Sequence, residues 1–376
     1  MIYFDHAASS PLTEEAYLTY TKSLKDYANP SSNHALGRKL AREVDKLKER
    51  ALIALSLSPK DYDFIITSGA TEANNLALKG LVHQYQNRGK KIISSSLEHP
   101  SVTNPLLALK EEGFDVSFLP SSPDGTVALK DLEANIDNKT ILVSLIAVNN
   151  EVGSINDISS LSKMIHSFPK TIFHSDVTQG IGKSPLPYKD LDLFSFSAHK
   201  FGGPKGIGGL IAKKKLSFKP LLDGGGQENG FRSGTINYPA FKSMVIALEE
   251  AMKNLKDNQK KVEEINNYLR LKLSQNPEIS INSPLNCSPY ILNFSLKKKK
   301  ASVLLEALSE EEIYVSSVSA CSSKSEPISK NLLEMGKSEG DARNSIRLSF
   351  GKESTLEEAK EFITRLNKIL ERIVDR

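Results

Sequence analysis

Asp192-Leu193-Phe194-Ser195-Phe196-Ser197-Ala198-His199-Lys200-Phe201-Gly202-Gly203-Pro204-Lys205-Gly206 alternates aromatic and hydroxyl residues, reaches a lysine, and turns at once through glycines. Alternation of this kind is the pattern of a strand, and the Gly and Pro residues mark its end. Lys200 thus stands where a side chain would point into a crevice, flanked by Ser197 and His199, which can hydrogen-bond an anion. A lysine so placed can form a Schiff base with an aldehyde cofactor. Taken alone, the segment reads more readily as a surface lysine beside a tight turn.

Outward from this stretch, short β-rich runs alternate with helical patterns. Strands are predicted over 64–67, 91–95, 116–119, 141–148, 171–174, 193–197 and 207–212. Such alternation is the signature of a largely parallel sheet covered by helices, whose ligands gather beyond the carboxyl ends of the strands. Further on, Phe241, Met244, Leu248, Ala251, Leu255, Val262, Ile265 and Leu269 keep helical spacing, which predicts one long helix over 240–275, stopped by Pro277. Strands over 290–295, 313–315 and 345–350, a helix over 302–308 and a last helix opened by a Thr355/Glu358 capping box describe a smaller α+β unit. The predicted class is α/β, with an N-terminal segment 1–14 packing on the small domain, a large domain over 15–255 and a small domain over 256–376.

Hydrophobic residues make up 39% of the chain and charged residues 25%, a globular rather than a disordered mixture. The 49 Lys plus Arg nearly balance 45 Asp plus Glu, so the net charge of +4 gives no reason to expect nucleic acid as a partner. The basic runs 213–215 and 297–300 lack interleaved aromatic residues and read as solvated turns or edges. The first eight residues include Asp5 and no basic start before an apolar stretch, so no secretory signal is expected. Apolar runs fall far short of the roughly 20 residues that span a bilayer. Two cysteines, Cys287 and Cys321, make no disulfide framework and suit a reducing compartment, so a cytoplasmic protein without membrane contact is expected.

Other strand ends carry chemistry too. Asp176, in His174-Ser-Asp-Val-Thr-Gln, offers the carboxylate that pyridoxal 5′-phosphate needs against its pyridine nitrogen, or else a helix cap. Gln179 can donate to a ligand oxygen or sit on the surface. Thr67-Ser-Gly-Ala-Thr-Glu follows a strand and opens a helix, so unpaired amides from Gly69 to Thr71 can converge with the Thr71 hydroxyl on a phosphate, or simply cap the helix. His99, in Leu97-Glu-His-Pro, can stack on a planar ring and shuttle protons, or be a satisfied structural histidine. Asn150, in Val148-Asn-Asn-Glu, occupies an equivalent strand end, and either Asn149 or Asn150 can form a turn instead. Cys321 lies in Ser316-Ser-Val-Ser-Ala-Cys-Ser-Ser-Lys-Ser, a polar run without helical or strand periodicity, which favours a reactive thiol over a packed one. Cys287 reads as inert.

Together these segments resemble the class V aminotransferase family, and within it cysteine desulfurases of the NifS and IscS kind, over nearly the whole chain. The most specific stretches are Asn29-Pro-Ser-Ser-Asn-His-Ala-Leu-Gly-Arg, Thr67-Ser-Gly-Ala-Thr-Glu-Ala-Asn-Asn, Ser197-Ala-His-Lys, Gly224-Gly-Gly-Gln-Glu, Arg232-Ser-Gly-Thr, and Ser319-Ala-Cys followed by Glu326-Pro. The resemblance implies the type I fold of pyridoxal-phosphate transferases, with a mostly parallel seven-stranded sheet. It implies that Lys200 is the Schiff-base lysine, that Asp176 faces the pyridine nitrogen and that His99 stacks on the ring. Gln179 and Asn150 would meet the phenolic oxygen or the substrate. Ala70, Thr71, Ser197 and His199 would form a phosphate cradle, joined by Thr235 from the neighbouring subunit of a homodimer. Arg347, in Ser345-Ile-Arg, would hold the carboxylate of L-cysteine. Cys321 would take the sulfur as a persulfide, leaving alanine, and pass it to an acceptor protein, a scaffold or sulfur carrier for iron–sulfur cluster, thio-cofactor or tRNA synthesis. No resident metal is implied, only a transient iron–sulfur contact through Cys321.

Some positions depart from the family pattern. Val318 stands where glycine is common, Gly203 where many relatives carry a larger residue, the Cys321 to Glu326 spacing is one shorter than in the IscS type, and the chain ends at Arg376 without the extension of long relatives. These departures leave acceptor and rate open. A selenocysteine or cysteine-sulfinate lyase would use the same cofactor site without Cys321. A true aminotransferase would need a keto-acid half-reaction, and an inactive cofactor-binding paralogue would not turn over.

Overall fold

The computed structural model describes residues 1–317 and 328–373. Seven strands form one sheet in the spatial order Tyr62–Thr67, Gly208–Lys213, Leu193–Ser197, Ile172–Asp176, Thr140–Ser144, Lys91–Ser95, Asp115–Leu119. Gly208–Lys213 pairs antiparallel with both neighbours, and the other pairings are parallel. Every residue of Ile172–Asp176 and Leu193–Ser197 is buried, as a sheet covered on both faces requires. Side chains alternate between the faces. Phe64 and Ile66 join Phe196, Phe241 and Met244 in one core, while Ile65 joins Leu76, Leu106 and Leu210 in another.

A second sheet is antiparallel and runs in the order Ser316–Ser317, Ser345–Ser349, Ile291–Leu296, Ile279–Ile281. Phe294 and Ile346 from it pack with Val262, Leu269 and Phe362. Ile2 and Phe4 enter this core, and Ile2–Tyr3 pairs in parallel with Ile313–Tyr314. The last helix, Leu356–Arg372, has the predicted capping box: Glu358 N donates to Thr355 Oγ1 at 3.1 Å and Thr355 N donates to Glu358 Oε2 at 2.8 Å.

Three local expectations are corrected. The predicted 240–275 helix is two, Tyr238–Lys253 and Leu255–Ser274, because Asn254 at φ −98°, ψ 11° interrupts the helical backbone. The predicted 141–148 strand keeps regular pairing only to Ser144. Leu145 and Ala147 still donate to the His174 and Asp176 carbonyls, and Val148 turns away to bridge Ile155. The 297–300 run is not wholly solvated either, since Lys299 is buried and its Nζ donates to the Ile373 carbonyl at 2.7 Å. Gly203 has a local reason of its own. A Cβ there would lie 2.8 Å from the Ala198 Cβ, so the tight turn excludes a larger residue.

Candidate active site

A cavity of about 430 Å³ opens at the carboxyl ends of the parallel strands. It is lined by Ala70, Thr71, His99, Asn150, Asp176, Gln179, Ser197, His199, Lys200 and Arg347, drawn from six separate stretches of chain. Among the described residues, Thr235 is exposed and does not line the cavity. Cys321, with Val318 and Glu326, lies outside the described residues. Ser316 and Ser317, just ahead of Cys321 in the sequence, do form part of the wall.

Lys200 closes the short turn after Leu193–Ser197, and its Nζ donates to the Ala7 and Ala8 carbonyls at 2.7 and 2.8 Å. The Ala7 carbonyl also receives Gln179 Nε2 at 2.9 Å. That contact takes one of the two amide hydrogens expected for a ligand. Asp176, 3% exposed, accepts from Asn74 Nδ2 at 2.8 Å and from the Thr178 amide at 2.9 Å. Arg347 donates from Nη1 to the Asn150 carbonyl and from Nη2 to Asp5 Oδ1, each at 2.9 Å.

The helix start is not the open row of amides the sequence suggested. Ala70 N donates to Ser197 Oγ at 2.7 Å, and Gly69 N turns back on Thr67 Oγ1 at 3.4 Å. Gly69 sits at φ 152°, where a Cβ would lie 3.1 Å from Ser197 Oγ, so glycine is required for this close approach. Asn149, not Asn150, makes the turn: its Oδ1 accepts the Glu151 and Val152 amides at 2.8 and 3.0 Å.

Burial sets the protonation of the wall and of Glu98, which accepts the amide of the wall residue Ile146 at 2.8 Å. It lowers His99, with Asp176 opposing and Lys200 adding to the effect. It brings His199 down to about 4, helped by the Lys200, Lys205 and Lys183 charges. Two carboxyls move the other way. Burial pushes Glu98 up to about 8 against hydrogen bonds from Ser95 and Ile146, and Glu151 up to about 7 against Ser329 and Arg347. Away from the cavity, burial also raises the Cys287 thiol, which suits an inert cysteine.

Sequence reasoning passed over Asn74, Ser101, Glu151 and Asp5. A signal existed for two of them: Asn74 lies one helical turn beyond Ala70, and Ser101 lies at the second position of the helix that His99 opens.

Comparison with known proteins decides the family. The aminotransferase class-V model matches residues 2–362. The chain belongs to the aminotransferase class-V family. Among similar members, a NifS/IcsS protein homolog of Lactobacillus delbrueckii subsp. bulgaricus is 38% identical over 375 residues, covering 98% of this chain and 97% of its own. A cysteine desulfurase IscS of Dictyoglomus turgidum is 35% identical over 377 residues, covering 99% and 95%. A solved NifS-like protein superposes with a TM-score of 0.92 at 33% identity over 99% of this chain and 100% of its own. The structure of SspA in complex with cysteine gives 0.80 at 29% over 94% and 99%. The α/β class, the mostly parallel seven-stranded sheet and the likeness to NifS and IscS proteins thus agree with the sequence reading.

Proposed function

We propose that this class-V protein is a cysteine desulfurase that uses pyridoxal 5′-phosphate to convert L-cysteine to L-alanine, with the sulfur retained on Cys321. The observation that carries the reading is the convergence of a lysine, a carboxylate, an imidazole and a guanidinium on one cavity: Lys200, Asp176, His99 and Arg347. The relatives named above support the substrate.

The cavity suits a polar ligand. Among the described residues, Thr178 Oγ1, Gln179 Oε1 and Arg347 Nε are buried without a partner although their residues line it. Buried polar atoms are seldom left so, and these three are open to an ordered water, an ion or a polar ligand. Asp176 would meet the pyridine nitrogen, Lys200 the aldehyde carbon, and Ala70, Thr71, Ser197 and His199 the phosphate. When bound, the cofactor supplies an electron sink beside the substrate α-carbon.

The chain's own groups do the rest. The Arg347 guanidinium orients the substrate carboxylate through a planar pair of donors. The Lys200 amine removes the α-proton. Cys321, as thiolate, attacks the substrate sulfur, and the carbon–sulfur bond breaks with its electron pair going to carbon. That carbon takes a proton and becomes the methyl group of alanine, while Cys321 keeps a persulfide. The persulfide then passes to an acceptor protein in the cytoplasm. The working unit is a homodimer in which Thr235 serves the neighbouring site. Its support is the exposed apolar surface of Tyr17, Leu18, Leu24, Tyr27 and Leu36 and the exposure of Thr235 itself.

The test is a product assay on the loaded protein with L-cysteine, L-selenocysteine and cysteine sulfinate. Alanine from cysteine that vanishes in Cys321→Ser fits the reading. Alanine formation indifferent to Cys321 favours a lyase.

A further inference from the structure

Glu151 brings a second carboxyl residue to the cavity wall besides Asp176. Its backbone is fixed on both sides: the amide donates to Asn149 Oδ1 at 2.8 Å, and the carbonyl accepts Asn293 Nδ2 at 3.2 Å. The side chain accepts at Oε2 from Ser329 Oγ at 2.6 Å. Ser329 is itself buried and caps the helix Lys330–Glu334, so this contact holds the carboxyl in place. Among the described residues, nothing donates a hydrogen bond to Oε1.

Arg347 is the neighbouring cation. Its Nη1 binds the carbonyl of Asn150, the residue before Glu151, and its charge reaches the Glu151 carboxyl. The guanidinium is already offset by the Asp5 ion pair. A substrate carboxylate on Arg347 therefore adds an anion where Asp5 and Glu151 already stand. In a small amino acid the side-chain head and the carboxylate are joined through adjacent carbons, so both come within Coulomb range of Glu151. A neutral head such as a thiol meets no charge penalty there, whereas an anionic head is repelled in a wall that water screens poorly.

We propose that Glu151 is a specificity-determining residue whose carboxylate admits amino acids with a neutral side chain, such as cysteine, and excludes those with an anionic one, such as cysteine sulfinate. The inference rests on the proposed substrate site. It carries a pH signature, because burial lifts this carboxyl to about 7 against Ser329 and Arg347. Above that pH the group is charged and repels an anion. Below it the group is protonated and can donate to one. Asp176, His99, His199 and Lys200 also charge or titrate in the wall, and Asp5 lies behind Arg347. Comparing two ligands cancels their effect on the shared α-amino and α-carboxyl groups, and Glu151→Gln separates what remains.

The test uses L-aspartate, an anionic amino acid with no sulfur to lose, against L-alanine, whose side chain is uncharged. Dissociation constants are read from the change in cofactor absorbance of the pyridoxal-phosphate-loaded protein. From pH 6 to 8 the neutral fraction of a carboxyl centred at about 7 falls about tenfold. The wild-type constant for L-aspartate relative to L-alanine should therefore rise by up to about tenfold over that range. Glu151→Gln should give a flat ratio. At pH 8 its kcat/KM for cysteine sulfinate relative to cysteine should exceed the wild-type ratio by about tenfold. A wild-type binding ratio that does not move with pH would overturn the proposal whether or not the variant folds, and so would a folded, cofactor-bearing Glu151→Gln with wild-type ratios. Alanine release from L-cysteine on the same samples separates the two readings. The expected binding ratios without alanine defeat the desulfurase function alone, and alanine with a flat wild-type ratio defeats this inference alone.

Discussion

Arg347 gives its Nη2 to Asp5 Oδ1 at 2.9 Å, and its side chain is only 10% exposed. The two residues are 342 positions apart, so the N-terminal segment supplies the counter-charge for the arginine that is proposed to hold the substrate. With Nη1 on the Asn150 carbonyl, the guanidinium plane is fixed before any ligand arrives. Lysine cannot reproduce that planar fork. Arg347→Lys should raise KM for cysteine by about 10–100-fold with a smaller change in kcat, as expected for loss of a charge-assisted hydrogen bond. Steady-state alanine kinetics check it.

Ser197 Oγ accepts the Ala70 amide at 2.7 Å and so shapes the start of the helix proposed to meet the phosphate. Ser197→Ala should leave the fold intact and weaken pyridoxal-phosphate binding by about 10-fold, the scale of one hydrogen bond. Titration of the cofactor-free protein by absorbance reads the change directly.

Glu98 gives a pH signature. Burial raises it from 4.5 to about 8, so near neutrality the folded protein holds a proton that the unfolded chain has released. Stability from this group is therefore present at low pH and is lost as pH rises from the ordinary carboxyl value through about 8. Glu98→Gln carries no such proton. Between pH 5 and pH 8 the wild-type Tm should fall by roughly 3 °C more than that of the variant, as measured by calorimetry. A steeper fall in the variant would contradict the assignment.

Thr235 is exposed and outside its own chain's cavity, which suits a residue that serves the partner. Lys200→Ala and Thr235→Ala, each inactive as a homodimer, should regain partial activity after subunit exchange, because one site of the mixed dimer then holds neither defect. Verified mixed dimers without activity would mean that Thr235 serves its own chain.

Much of this site was legible because Asp176 ends a strand and Lys200, His99 and Asn150 come within a few residues after one, and the fold brings strand ends together. Less visible was how the groups are held. Asp5 with Arg347, and Asn74 with Asp176, are bonds between residues 342 and 102 positions apart, chosen by tertiary packing that no local period encodes. The overread helix start had a similar cause. Gly69 and Ala70 look like free donors in sequence, but Ser197 arrives from another strand to take the Ala70 amide. At Asn254 the apolar spacing continues across a break in the backbone, so periodicity alone joined two helices into one.

The central claim is tested most directly by following alanine and protein-bound sulfur together in a single turnover of the pyridoxal-phosphate-loaded protein with L-cysteine. Wild type and Cys287→Ser should each form one alanine and one persulfide per site, with the persulfide mapping to Cys321. Lys200→Ala and Cys321→Ser should form almost none. Alanine produced by Cys321→Ser at the wild-type rate, or a persulfide found on Cys287, would contradict the account.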